Sequence, residues 1–118
     1  MNIHESSEDY LERILMLYEE KGSVRSIDIA TDMGVTKPSV SFAMKRLREN
    51  GYIRMDQDNL ITLTEAGMEI AQRIYTRHKI LTQYLTKIGV DEETARADAC
   101  KMEHDLSPAS FEAIRRQL

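Results

Sequence analysis

The 118 residues contain a single cysteine, Cys100. A lone thiol closes no internal disulfide, which sets aside the disulfide-stapled secreted scaffolds. No apolar run approaches the length of about 20 residues that a bilayer-spanning helix needs. No basic, then apolar leader opens the chain. There is no internal repeat and no low-complexity tract. No membrane partner is expected, and the expected compartment is the cytoplasm, where thiols stay reduced. Excess positive charge is also missing: the formal net charge is −4, which taken alone argues against a nucleic-acid partner.

The distribution of charge argues the other way. Residues 1–23 hold six acids and two bases, whereas residues 24–54 hold Arg25, Lys37, Lys45, Arg46, Arg48 and Arg54 against Asp28, Asp32 and Glu49. A basic segment therefore sits inside an acidic chain. Charge runs are more often solvated helix faces than binding surfaces, so local structure has to decide.

Helical spacing of Tyr10, Leu11, Ile14, Leu17 and Tyr18 predicts a first helix, opened by a capping box from Ser6 to Asp9 and stopped at Gly22. "SIDIATDMG" predicts a short helix capped by Ser26 and closed by Gly34. "TKPSVSFAMKRLRENG" predicts another, with Pro38 in its first turn, Val40, Met44 and Leu47 as core stripe, and Gly51 at its end. "YIRM" and "LITL" flank the turn-forming "DQDN" and predict a β-hairpin. Thr64 caps a long helix whose stripe is expected to run Ala66, Ile70, Ile74, His78, Leu81 and Leu85. Asp91 caps a fifth helix, and Ser107-Pro108 starts a last one.

The expected fold is mainly α: a winged helix-turn-helix over residues 1–63, then a helical domain over residues 64–118. In such a motif the second helix enters the major groove of double-stranded DNA. The candidate DNA-binding residues are Arg25, Thr36, Lys37, Pro38, Ser39, Ser41, Phe42, Lys45 and Arg46. The cations and hydroxyls suit phosphates and base edges. Phe42 falls off the core stripe. It either packs beneath the wing or the first helix, or meets a thymine methyl group.

Outside that element, Asp9 and Glu12 share a helix face, as do Cys100, Glu103 and His104, and His78 interrupts an apolar stripe. Singly, each has a bland reading: a helix-terminal acid, surface carboxylates, a satisfied core histidine, a small buried thiol. Jointly, oxygen, nitrogen and sulfur donors suit a first-row divalent metal, Mn2+ or Fe2+ rather than a closed structural zinc site. A Cys-His enzyme is the rival. Cys100 and His104 stand one turn apart on what reads as a regular helix, with no glycine-rich loop or oxyanion-hole element beside them, so no enzyme is expected. A regulator that senses redox state through Cys100, or that acts independently of metal, is the other alternative.

These residues resemble the diphtheria-toxin-repressor family of metal-dependent transcriptional regulators, on its manganese-regulator-like branch. The resemblance runs through "SSEDYLERILMLYEEKGSVRSIDIATDMGVTKPSVSFAMKRLRENGYI", the wing, "LITLTEAG", "RHKIL" and "ACKMEHDLS". It implies a homodimeric repressor of metal-uptake genes that binds operator DNA with the metal as corepressor. It also implies one or two ions per subunit on Asp9, Glu12, His78, Cys100, Glu103 and His104. Two departures stand out. Asp9 follows the manganese branch, whereas Cys100 follows the iron branch. Thr82 and Arg96 stand where an ancillary site of the iron branch would have a carboxylate and a histidine. The SH3-like domain of longer members is not expected in a chain that ends at Leu118.

Overall fold

The computed structural model describes residues 5–118. Helix α1 (Glu5–Lys21) buries Leu11, Ile14, Leu15 and Leu17 on one face and stops at Gly22, whose positive φ of 81° suits a residue without Cβ. Ser6 lies inside this helix, so the expected capping box does not open it. Nothing in the local sequence breaks the helix at Ser6. Helix α2 (Ser26–Met33) is also displaced from expectation: its N-cap is Arg25, in an extended conformation, not Ser26. The physical reason is Asp28, whose Oδ2 accepts a hydrogen bond from the Arg25 backbone N–H at 2.9 Å. An acid at the third helical position satisfies that donor without needing a hydroxyl one residue later.

Helix α3 (Lys37–Glu49) follows the expected pattern. Thr36 caps it by accepting from Ser39 N–H, Pro38 lies in the first turn, and Val40, Met44 and Leu47 are buried. Strands β1 (Ile53–Met55) and β2 (Ile61–Leu63) pair antiparallel, with Ile53 opposite Leu63 and Met55 opposite Ile61. Asp56 closes the intervening turn, its Oδ1 accepting from Asp58 N–H at 2.8 Å and Leu60 N–H at 3.0 Å. The root of the hairpin is tied down by Ile61 N–H, which donates to Val24 O at 2.8 Å. Helix α1, α2, α3 and the hairpin pack on one another around Leu11, Ile14, Val24, Ile29, Val40, Met44, Ile53 and Ile61.

Helix α4 (Glu65–Lys87) begins at Thr64, whose Oγ1 accepts from Gly67 N–H and donates to Gly51 O. Its buried stripe keeps the expected Ile74 and Leu81 but departs elsewhere. Ala66 is exposed, Ile70, His78 and Leu85 are half-buried, and Gly67, Ala71 and Arg77 are buried instead. The cause is a close approach at Gly67, where a Cβ would lie 2.0 Å from the carbonyl oxygen of Tyr52. Hydropathy cannot signal a face chosen by the absence of a side chain.

The chain divides within α4 into two compact units, Met1–Gln72 and Arg73–Leu118. The second unit holds the rest of α4 with α5 (Glu92–Met102) and α6 (Pro108–Arg115), capped by Asp91 and Ser107 as expected. Among the described residues no helix is long and apolar enough to cross a membrane.

Candidate metal centre and DNA-reading face

In the first unit, α3 carries a polar, basic outer face. Thr36, Lys37, Pro38, Ser39, Ser41, Phe42, Lys45 and Arg46 are all exposed. The two readings of Phe42 are resolved in favour of the surface: its side chain is 64% exposed, with the Arg46 guanidinium 5.8 Å from the ring centroid. A groove of about 290 Å3 runs beside it, lined in part by Tyr10, Ser39, Phe42, Arg46 and Tyr52. Arg25 is exposed, and its Nε donates to Asp58 O in the hairpin turn. It therefore links the α2 cap to the wing. On α1, Asp9 is half-buried and Glu12 is buried, three residues apart.

The second unit brings three expected donors together. Glu103 is fully buried. Its Oε2 lies 3.0 Å from Nδ1 of His78 on α4, and its Oε1 lies 3.5 Å from Nε2 of His104. Oε1 is buried and accepts no hydrogen bond from the described residues. A buried carboxylate oxygen left so is costly unless a cation completes it. Cys100 is half-buried on α5 and free of any disulfide. A carboxylate, two imidazoles and a thiol fit a first-row divalent cation.

One geometric expectation needs correction. Cys100, Glu103 and His104 do not share one regular helix: α5 ends at Met102, and Glu103 is its C-cap. Glu103 keeps helical dihedrals, with its N–H donating to Ala99 O at 2.9 Å, so the one-turn spacing survives. His104 and Asp105 belong to a turn, in which Asp105 N–H donates to Met102 O. The donors thus sit where a helix terminates, and its C-terminal carbonyl end favours positive charge.

Sequence reasoning passed over Arg77. It is 8% exposed, and its Nη1 donates to Glu103 O at 3.1 Å and Leu106 O at 2.8 Å. The available signal was its place in "RHKIL", directly before His78.

A winged helix-turn-helix joined to a helical unit with a histidine-carboxylate donor set defines a DNA-binding regulator with a metal centre. The comparisons agree. Residues 2–59 match the model of the iron-dependent repressor N-terminal DNA-binding domain, and residues 64–118 match that of the iron-dependent repressor metal-binding and dimerisation domain. The chain belongs to the iron-dependent repressor family, a family of transcriptional regulators and not of enzymes. It is 40% identical over 109 residues to the HTH-type transcriptional regulator MntR of Bacillus subtilis, covering 92% of this chain and 77% of that one. Among solved structures, the manganese regulator SloR superposes with a TM-score of 0.82 at 26% identity, covering 98% of this chain and 54% of the other. A manganese-dependent transcriptional repressor in complex with manganese superposes with a TM-score of 0.84 at 26% identity, covering 94% and 51%. The chain spans about half the length of those solved proteins.

Proposed function

We propose that this protein is a metal-activated repressor. Mn2+ or Fe2+ acts as corepressor, and a homodimer binds double-stranded operator DNA of metal-uptake genes in the cytoplasm. The observation that carries the reading is the Glu103 carboxylate: it is fully buried, one oxygen meets the His78 ring, and among the described residues none donates a hydrogen bond to the other. The MntR name of the relatives and the manganese of the solved neighbour support manganese as the first metal to test.

The ligands are His78, Cys100, Glu103 and His104, with Asp9 and Glu12 completing the set for one or two ions per subunit. A divalent cation held there would supply the positive charge that these carboxylates lack. Without it, Asp9, Glu12 and Glu103 add like charges, which disfavours gathering them. Metal binding would be coupled in this way to the spacing of two recognition helices in a dimer. A tenfold gain in DNA affinity requires only about 1.4 kcal/mol of such coupling. On the DNA side, Thr36, Lys37, Pro38, Ser39, Ser41 and Phe42 meet base edges and nearby phosphates, while Arg25, Lys45 and Arg46 hold the backbone.

Anaerobic titration of the apo protein with Mn2+, Fe2+ and Zn2+, with fluorescence anisotropy on a duplex selected from a random pool, tests this reading. Mn2+ or Fe2+ is expected to raise DNA affinity at least tenfold. Equal affinity with and without metal would defeat it. A redox sensor, in contrast, would lose DNA binding on oxidation and become indifferent to oxidant on Cys100→Ser.

A further inference from the structure

Arg77 ties three elements of the second unit together. Helix α5 ends at Met102, and the last carbonyls of a helix have no partner within it. Arg77 Nη1 reaches across from α4 and donates to Glu103 O at 3.1 Å and to Leu106 O at 2.8 Å. Its guanidinium carbon stands 5.1 Å from the centroid of the Phe111 ring on α6. One buried cation therefore joins α4, the turn between α5 and α6, and α6. The next residue, His78, holds the same Glu103 through its side chain, Nδ1 to Oε2 at 3.0 Å. Glu103 is thus gripped twice by consecutive residues of α4, once by its main chain and once by its carboxylate.

We propose that Arg77 is a positioning residue for the metal centre: it holds the main chain of the 103–106 turn so that the Glu103 carboxylate and the His104 ring are preset for a divalent cation. This rests on the metal reading above. The physical basis is preorganisation. A turn pinned at both ends loses less conformational freedom when its side chains take up an ion. Arg77 ligates nothing itself, since a guanidinium is always charged and has no lone pair to offer. Groups that orient metal ligands in this way commonly change metal affinity by about 10- to 100-fold when removed.

The test compares Arg77→Met and Arg77→Lys with the unaltered protein. Mn2+ affinity is read by competition with a fluorescent chelator, at a temperature where circular dichroism shows each protein folded. Arg77→Met keeps length and packing but removes both donors, and is expected to weaken Mn2+ binding at least about tenfold. Arg77→Lys keeps a donor on a similar arm and is expected to recover a good part of that loss. Ile74→Val, on the same helix and also buried, is the control for destabilisation alone and should bind Mn2+ as the unaltered protein does.

Wild-type Mn2+ affinity in folded Arg77→Met overturns the proposal. So does a lysine variant no better than the methionine one, or an equal loss in Ile74→Val. Should Arg77→Met fail to fold, Arg77→Gln replaces it, with weakened binding expected and wild-type binding overturning the proposal. Unaltered protein that takes up neither Mn2+ nor Fe2+ would sink the metal reading itself, an outcome distinct from all of these.

Discussion

The Nδ1 atom of His78 lies 3.0 Å from Oε2 of Glu103. Helix α4 and the end of α5 meet there through two groups that both ligate metals well, one of them fully buried. Among the described residues none donates a hydrogen bond to Oε1 of this buried carboxylate, which costs stability. Glu103→Gln is therefore expected to leave the metal-free protein as stable as before, or more so, and to abolish its stabilisation by Mn2+. Thermal denaturation with and without excess Mn2+ measures this. Binding to the folded state alone raises the midpoint, and a shift as large in the glutamine variant as in the unaltered protein would count against Glu103 as a ligand.

The exposed ring of Phe42 on the outer face of α3 predicts a specific form of base reading. If the ring meets a thymine methyl, replacing that one thymine by deoxyuridine removes about one buried methyl group, on the order of 0.8 kcal/mol or about fourfold in affinity. A deoxyuridine scan of a selected duplex should show such a position for the unaltered protein and none for Phe42→Ala. A scan that is flat for both, with DNA binding intact, would eliminate the thymine contact and leave Phe42 as a partner of Arg46.

Gly67 has a purely steric reason for being glycine. With a Cβ only 2.0 Å from Tyr52 O, alanine forces α4 away from the strand root despite its better helix propensity. Urea unfolding of Gly67→Ala is expected to show a loss of about 1–3 kcal/mol, as for other overpacked sites. A gain in stability would mean that the start of α4 shifts freely.

Acid should reveal the cap of α5. Hydrogen bonds from Thr94, first from its side chain and then from its backbone N–H, lower the pKa of Asp91 below its ordinary value. A carboxyl whose pKa is depressed on folding contributes stability that is present above its unfolded pKa and is lost as pH falls through the folded value. Asp91→Ala should therefore melt at a lower temperature than the unaltered protein at pH 7. The gap should narrow as pH drops below about 3.9. A gap that stays constant into acid would show that the charge contributes nothing.

Much of the architecture was legible in the residues because it depends on short-range rules. Thr64, Asp91 and Ser107 announce helix starts through the backbone N–H groups they satisfy. Val40, Met44 and Leu47 announce a buried face. The turn "DQDN" announces the hairpin that Asp56 closes. The departures arise where a specific contact outweighs the local preference. Ser26 looked like the better cap, but Asp28 serves Arg25 instead. Ala66 looked more apolar than Gly67, but the missing side chain is what α4 needs against Tyr52.

By itself, the sequence determined the order of elements and the basic face of α3, and it offered candidate donor residues, because helical periodicity, caps and ligand chemistry are properties of side chains a few positions apart. Tertiary structure alone decided that Phe42 faces solvent, that α5 ends before Glu103, and that Arg77 and His78 both grip that residue. Those outcomes depend on which backbone carbonyls and apolar surfaces come together across 25 or more residues of chain, and no local pattern records such a meeting.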